Sequence, residues 1–353
     1  MRVLVWQWGR RGGGPRFAAQ LASAFGGLTG TEALLSLSSR AEILQEKDAP
    51  HCDLPVPTYT SAAHLAARVL ASPWMIARLT CTLRELRPDL AICALPGPLD
   101  WIFATALRRV GVPFGVIAHD AIAHPGDGYP LQMLAQRRLL RSADAVIVLS
   151  AHVAEQVLAG RMIGPRAKLI RSSHPPMMFG RVAPAFAHAG PVRLLNFGRL
   201  LPYKGLDLLA AALQRTDPDL EFTLRVVGSG PESDAVRSLR AMPRVAVENR
   251  WVPESEIGPL LGWSDALVLP YREASQSGVA SAALAAGRFV IATRVGGLAE
   301  QLANQPLGRL CEPDPENLAA AIAHFVTTPP PAPAVSDPAQ IWRDQAEQIL
   351  REI

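Results

Sequence analysis

Two cations five positions apart, Arg199 and Lys204, stand between a short apolar run and an apolar periodicity of helical spacing. Residues 192–197 (VRLLNF) are β-prone, Gly198 breaks them, and Leu206, Leu209, Ala210 and Leu213 recur on one helical face. The segment predicts strand, loop and helix, the half-unit of a doubly wound sheet. A helix N-terminus favours anions through its unpaired N–H groups and its dipole. A guanidinium and an ammonium in the same loop make it a seat for a diphosphate. Lys204 is also the only lysine after Lys168. The competing reading is a solvated loop with two surface charges.

Two further stretches carry candidate chemistry. Residues 2–6 (RVLVW) read as an opening strand, and Gly12, Gly13 and Gly14 then precede a helical pattern through Phe17, Leu21, Ala22 and Phe25. Consecutive glycines before a helix let backbone N–H groups approach a ligand closely, although the spacing is not the dinucleotide fingerprint and a surface turn fits as well. His119 and Asp120 follow the apolar run 114–118, ahead of His124-Pro125-Gly126-Asp127-Gly128. Open α/β sheets bind ligands at the carboxyl ends of their strands, so His119 is placed to touch a substrate. A histidine satisfied by loop carbonyls is the bland alternative.

Composition narrows the function classes. A chain of 353 residues, 49% hydrophobic and 19% charged, is globular and long enough for two domains. Its four cysteines, Cys52, Cys81, Cys93 and Cys311, are scattered, with no paired metal spacing. No secretory leader or spanning segment is read, since residues 90–107 are interrupted by Pro96, Gly97, Pro98 and Asp100. The expectation is a cytoplasmic protein. Charge is uneven: residues 1–185 hold 20 Lys and Arg against 12 Asp and Glu, the remainder 15 against 19. No aromatic–basic interleaving or nucleic-acid motif accompanies the basic half, which points instead to peripheral contact with the inner face of a membrane.

The remaining elements position these residues. Strands are predicted at 90–94, 114–118, 143–149 and 168–172 in the first half, with helices at 62–86 (broken at Pro73), 101–110 and 131–141. In the second half, strands at 222–227, 245–248, 264–270 and 289–293 alternate with helices at 232–241, 254–263 and 317–326. Gly296-Gly297 reads as a turn. The stretch 271–287 (YREASQSGVASAALAAG) is small-residue-rich and implies a helix start packed tightly. Residues 179–190 read as a linker, 327–338 as an extended proline-rich segment, and 340–353 as a last helix.

Several stretches together resemble the large retaining glycosyltransferase family four (glycosyl transferases group 1). They are GRLLPYKGLDLL (198–209), SADAVIVLSAHVAEQVL (142–158), VVGSGPE (226–232), SDALVLPYREASQSGV (264–279), GRFVIATRVGGLAE (287–300) and GRLCEPDPENLAAAIA (308–323). The resemblance implies an α/β GT-B architecture: two facing Rossmann-like domains with parallel sheets and a C-terminal helix crossing back to the N-terminal one. Residues 1–182 would form the acceptor-side domain, 191–326 the nucleotide-sugar domain, and 327–353 the crossing segment with its helix, Trp342 serving as anchor.

The resemblance also implies roles. Arg199 and Lys204 would hold the diphosphate of a nucleotide-sugar donor and offset the charge of the departing group. The turn Gln276-Ser277-Gly278-Val279 would present backbone N–H groups to the donor, with Glu273 beside it. Val252 would lie near the base, His119 would reach the sugar, and Gly13 and Gly14 would sit over the phosphates and the acceptor. The family generally needs no bound metal, and no cofactor is expected here. Many of its members carry a pair of glutamates in the 271–287 region, the second holding the ribose; aligned on Gly287, those positions are Ala274 and Ala282, and Glu273 is one residue off, as in some relatives with a Ser-Gln-Ser-Gly type of loop. The implied activity is transfer of a sugar, with retention, to a saccharide or lipid-linked acceptor. The alternative is a non-catalytic subunit of the same fold; a sugar-nucleotide epimerase would need a further acid/base carboxylate.

Overall fold

A computed structural model describes residues 1–123, 130–331 and 337–353, and divides into two compact units. Residues 124–129, which include the 124–128 stretch read beside His119–Asp120, and 332–336 of the proline-rich stretch lie outside the described residues.

The first unit is built on strands β1 (Arg2–Gln7), β2 (Glu32–Leu37), β3 (Leu90–Cys93), β4 (Phe114–Ala118), β5 (Ala145–Val148) and β6 (Lys168–Arg171), all parallel, in the order β2-β1-β3-β4-β5-β6. Its helices are α1 (Gly13–Gly26), α2 (Ala62–Leu70), α3 (Ser72–Leu86), α4 (Asp100–Val110), α5 (Pro130–Ser142) and α6 (Ala151–Ala159). β3, β4 and β5 are buried along their whole length, which is why each reads as an unbroken apolar run. β2 (EALLSL) is an addition to the sequence reading. Its residues are helix formers, and pairing with β1 overrides that propensity. The break at Pro73 falls two residues earlier, at Ala71, because proline is tolerated in a helix's first turn.

The second unit repeats the plan with β7 (Val192–Phe197), β8 (Phe222–Gly228), β9 (Val245–Asn249), β10 (Ala266–Leu269), β11 (Phe289–Thr293) and β12 (Gly308–Cys311), parallel in the order β12-β11-β10-β7-β8-β9. Between the strands lie α7 (Leu206–Leu213), α8 (Asp234–Arg240), α9 (Glu254–Trp263), α10 (Gly278–Ala285), α11 (Gly296–Ala303) and α12 (Pro315–Thr327). Gly296-Gly297, read as a turn, opens α11. The segment ahead of β7 is tied down at the opposite end of the sheet. Buried Asp265 accepts the Phe186 N–H at 2.6 Å and meets His188 Nε2 at 2.9 Å, while the Arg288 guanidinium reaches the Ala183 carbonyl.

Residues 339–353 of the last helix, α13 (Pro338–Glu352), group with the first unit. Trp342 is buried edge-on to Phe17 of α1, with ring centroids 5.0 Å apart. Gln345 Nε2 donates to the Ser173 carbonyl at 2.8 Å, and Gln348 Nε2 to the Arg171 carbonyl at 2.8 Å. The two glutamines thereby occupy the open edge that β6 would otherwise present.

One buried acid pins the first unit's core. Asp100 is wholly buried at the start of α4 and accepts from Trp6 Nε1 at 3.2 Å and the Gly97 N–H at 2.5 Å. Burial lifts its pKa from the ordinary 3.8 to about 7, against the lowering effect of those bonds. The native chain therefore holds a proton between roughly pH 4 and 7 that the unfolded chain has released. Stability from this group is greatest at acid pH and falls as pH rises toward 7, by about 4 kcal/mol in all. Asp100→Asn is expected to flatten this part of the profile. Urea midpoints at pH 5 and pH 7 for both chains check it, and an unchanged difference between them counts against the assignment.

Candidate functional site

The chemistry-bearing residues of the second unit gather where its strand order reverses. β7 is the first strand of its sheet and β10 the fourth, yet the two are hydrogen-bonded neighbours. Chains leaving adjacent strands in opposite directions open a crevice at the carboxyl ends, where open α/β sheets take their ligands. The loop after β7 carries Arg199 and Lys204; that after β10 carries Tyr271, Glu273, Gln276 and Ser277 and enters α10.

The two loops touch through bare backbone. Gly205, at φ +68°, closes a single turn over Pro202–Lys204, and a Cβ there would stand 1.8 Å from the Pro270 carbonyl oxygen. Only glycine satisfies both the dihedral and the space. Tyr203 accepts the Arg272 N–H at 2.8 Å, and the Arg272 guanidinium pairs with Asp207 in the first turn of α7. A second apposition lies beside it, since a Cβ on Gly228 would fall 1.6 Å from the Gly198 carbonyl oxygen.

This contact sets the cations on tyrosines. The Lys204 ammonium lies 3.7 Å from the centroid of the Tyr271 ring and 4.9 Å from that of Tyr203. The Arg199 guanidinium donates to the Tyr203 hydroxyl at 3.1 Å. Burial pushes the Tyr271 phenol up to about 12, although its bond to Ser277 and the Arg199 charge both pull the other way. It remains a neutral phenol, and its hydroxyl meets Ser277 Oγ at 3.3 Å.

Ser277 links this platform to the start of α10. Its Oγ caps the helix by accepting the Ala280 N–H at 3.1 Å. Its own N–H donates to Gln301 Oε1 at 2.9 Å, while Gln301 Nε2 donates to the Ser277 carbonyl at 3.1 Å and to Ser281 Oγ at 2.7 Å. The N–H groups of Gly278 and Val279 fall at the open end of the helix. Gln276 is half-buried, and its Oε1 is shielded from solvent with no hydrogen-bond partner, an acceptor that a ligand hydroxyl would satisfy. Glu273 and Gly278 are exposed.

Val252 is buried just beyond β9. Arg250 N–H donates to the Gly228 carbonyl at 2.8 Å, and the Asn249 amide exchanges bonds of 3.1 Å with both backbone groups of Gly230. These bonds hold Val252's segment to the same end of the sheet as Gly198. Ala274 and Ala282 are both buried methyl groups, so neither supplies a carboxylate.

In the first unit the reversal falls between β1 and β3. Gly12, at φ +82°, caps α1 with nothing near a prospective Cβ, whereas Gly14 packs where a Cβ would come 2.9 Å from both Gln7 Nε2 and Leu95 Cδ2. Gly13, between them, is exposed. His119 follows β4 and lies 2.9 Å through Nε2 from the Ala94 carbonyl. A carbonyl only accepts, so Nε2 carries the proton and Nδ1 is the acceptor. The ring stands edge-on to Phe17 at 5.0 Å and to His174 at 5.8 Å. Desolvation lowers its pKa, outweighing the opposing pull of Asp120 and of the Ala94 bond; for His174, desolvation together with the His119 charge lowers it to about 3. Both imidazoles are neutral at pH 7.

The structure thus brings Arg199, Lys204 and the 276–279 turn into one hydrogen-bonded and cation–π assembly. Sequence reasoning missed its connectors, Tyr203, Tyr271 and Gln301. The tyrosines were legible as aromatics beside a lysine and after Pro270; Gln301, two dozen residues from its partner, gave no signal. Among the described residues no three His, Cys, Asp or Glu side chains are gathered as a metal ion would need.

Comparison with known proteins shows the family and the fold. A family model described as glycosyl transferases group 1 matches residues 191–328, and one described as a glycosyl transferase 4-like domain matches residues 7–171. The chain is similar to glycogen synthase of Mycobacterium tuberculosis, 32% identical over 200 residues that cover 54% of this chain and 47% of that one. The match therefore spans about half the length of that relative. It is also 28% identical over 312 residues to 2-deoxystreptamine glucosyltransferase of Streptomyces kanamyceticus, covering 77% and 78% of the two. Among solved structures, Anabaena HepE in complex with UDP-glucose superposes with a TM-score of 0.68 over the whole of both chains at 18% identity, a likeness of fold.

The Gly205–Pro270 contact makes a prediction. Gly205→Ala adds a clash to an unfavourable dihedral and is expected to cost roughly 2 kcal/mol or more. Gly180→Ala, at φ +88° with open space around the added carbon, carries the dihedral cost alone. Urea unfolding of the two variants checks the difference; equal losses would mean that the loops do not meet there.

Proposed function

The chain belongs to the group 1 glycosyl transferases and has the GT-B fold, and from that premise we propose that it moves a sugar from a nucleotide diphosphate sugar to a saccharide or lipid-linked acceptor, with retention. The bond between the sugar's anomeric carbon and the diphosphate breaks with its electron pair passing to the phosphate oxygen. A new bond forms to an acceptor hydroxyl oxygen on the same face. Arg199 and Lys204 hold the diphosphate, and the charge that grows on it is greatest in the transition state. The Gly278 and Val279 N–H groups add the dipole of α10 to the same task. These groups neutralise the leaving group without a metal ion.

The observation that carries this reading is the anchoring of both cations on tyrosines at the reversal of strand order, Lys204 over the Tyr203 and Tyr271 rings and Arg199 on the Tyr203 hydroxyl. Around it, Val252 is assigned to the base, and Gln276 and Glu273 to the ribose or sugar hydroxyls in place of the carboxylate absent at Ala282. In the first unit, neutral His119 is assigned to the sugar, and the Gly13-Gly14 turn to the phosphates and acceptor. A relative named for glucosyl transfer and a neighbour crystallised with UDP-glucose support a nucleotide-sugar donor.

A binding-only role is favoured by one observation, the methyl groups at 274 and 282, and the same experiment separates the two. A panel of UDP-, GDP- and ADP-sugars is offered with and without saccharide acceptors, and release of nucleoside diphosphate is followed. At least one donor is expected to turn over. Arg199→Ala and Lys204→Ala are each expected to lower kcat by about 100-fold, with the urea midpoint retained. Turnover unchanged in the double variant would refute the assignment, and no turnover with any donor would favour the binding role.

A further inference from the structure

The helical corner α2–α3 of the first unit presents an apolar ridge that its own fold does not use. No residue of α2 is buried, and Leu70 at its end is 83% exposed. Trp74, in the first turn of α3, is 62% exposed, and Val69 is exposed beside them. The core is already supplied from the opposite face of α3 by Met75, Ile76, Leu79 and Leu83. Leu70 and Trp74 therefore form a projecting tip one helical turn apart.

The stretch of chain that carries this tip has charge of one sign. From Leu54 through Arg84 the sequence holds no aspartate or glutamate, while Arg68, Arg78 and Arg84 lie within it. Arg78 stands over the Trp74 ring, 5.6 Å from its centroid. Arg68 Nε donates to the Thr58 carbonyl at 3.2 Å, and Arg10 Nη2 reaches the Thr60 carbonyl at 3.5 Å, bringing further positive charge to the start of α2. Among the described residues, no helix is long and apolar enough to cross a membrane.

We infer that the Val69–Leu70–Trp74 ridge docks on the surface of an anionic lipid bilayer, with Arg68 and Arg78 meeting the head groups. Tryptophan and leucine on an exposed helix face, flanked by arginine and free of acids, match the interfacial layer in polarity and charge. A second copy of the chain fits less well. In a two-fold contact each ridge would face its own twin, setting arginine against arginine without a carboxylate between them. The inference is separate from the transfer chemistry: none of these residues belongs to the donor seat, and vesicle binding is read without turnover.

The test is flotation of the full chain with phosphatidylcholine vesicles and with vesicles containing about 30 mol% phosphatidylglycerol. The chain is expected to float with the anionic vesicles, not with the neutral ones, and less in about 0.5 M salt. Leu70→Ser with Trp74→Ser is expected to lower the bound fraction at least about 10-fold, and Arg68→Gln with Arg78→Gln to weaken the salt dependence. Leu70, Trp74 and Arg78 are exposed and Arg68 is half-buried on the Thr58 carbonyl, so the urea midpoint of each variant is measured alongside, and an unchanged value shows that the fold is kept. No flotation of the parent chain, or equal flotation of the Leu70/Trp74 variant, overturns the inference. So does a sedimentation shift from dimer to monomer in that variant without lipid binding, which would assign the ridge to a second copy.

Discussion

The proposed donor seat depends on one close approach, the backbone of Gly205 against the Pro270 carbonyl. Two loops that leave neighbouring strands in opposite directions would splay apart if either carried a side chain at the crossing. With the glycine there, Tyr203 receives the Arg272 N–H, Tyr271 turns its ring under Lys204, and Ser277 comes within reach of the Tyr271 hydroxyl. A flexible ammonium and a long guanidinium lose rotamer freedom when they bind a ligand; resting the one on two rings and the other on a phenol hydroxyl beforehand reduces that loss. Glycine thus acts on chemistry it never touches.

The first unit solves a different problem around Phe17. Its ring meets His119 at 5.0 Å, His174 at 5.6 Å and Trp342 at 5.0 Å, so a residue after β4, the end of the unit's continuous stretch and the returning helix share one buried aromatic. The desolvation that lowers the pKa of both histidines is a consequence of this packing. An imidazole kept neutral, with its Nε2 proton committed to Ala94, can offer a ligand only an acceptor. A ligand hydroxyl that reached His119 would therefore meet an acceptor and not a cation.

Much of this was legible in the sequence because parallel sheets write themselves plainly. Strands buried on both faces are apolar runs bounded by glycine or proline, and the run 289–293 is read with the bounds that the structure shows. Arg199 and Lys204 stood out as two cations in one strand–loop–helix unit, although the sequence fits a solvated loop as well; the tyrosine contacts that hold them are visible only in the structure. Three features were opaque for physical reasons. β2 is spelled in helix formers and becomes a strand only by pairing with β1. Gly296-Gly297 has the composition of a turn, yet Gly297 donates to the Ala274 carbonyl as α11 starts. The bonds from Gln301 to Ser277 and Ser281 join parts of the chain that nothing local connects.

If the loops after β7 and β10 exist to hold a pyrophosphate, affinity must reside there and not in the base. Calorimetric titration of the chain with UDP, GDP and ADP, each against its own nucleoside, measures this directly. At least one diphosphate is expected to bind saturably, and its nucleoside at least about 10-fold more weakly, since charge-assisted bonds to Arg199 and Lys204 are lost. Absence of heat from all three diphosphates at millimolar concentration, or a nucleoside that binds as tightly as its diphosphate, would contradict the account.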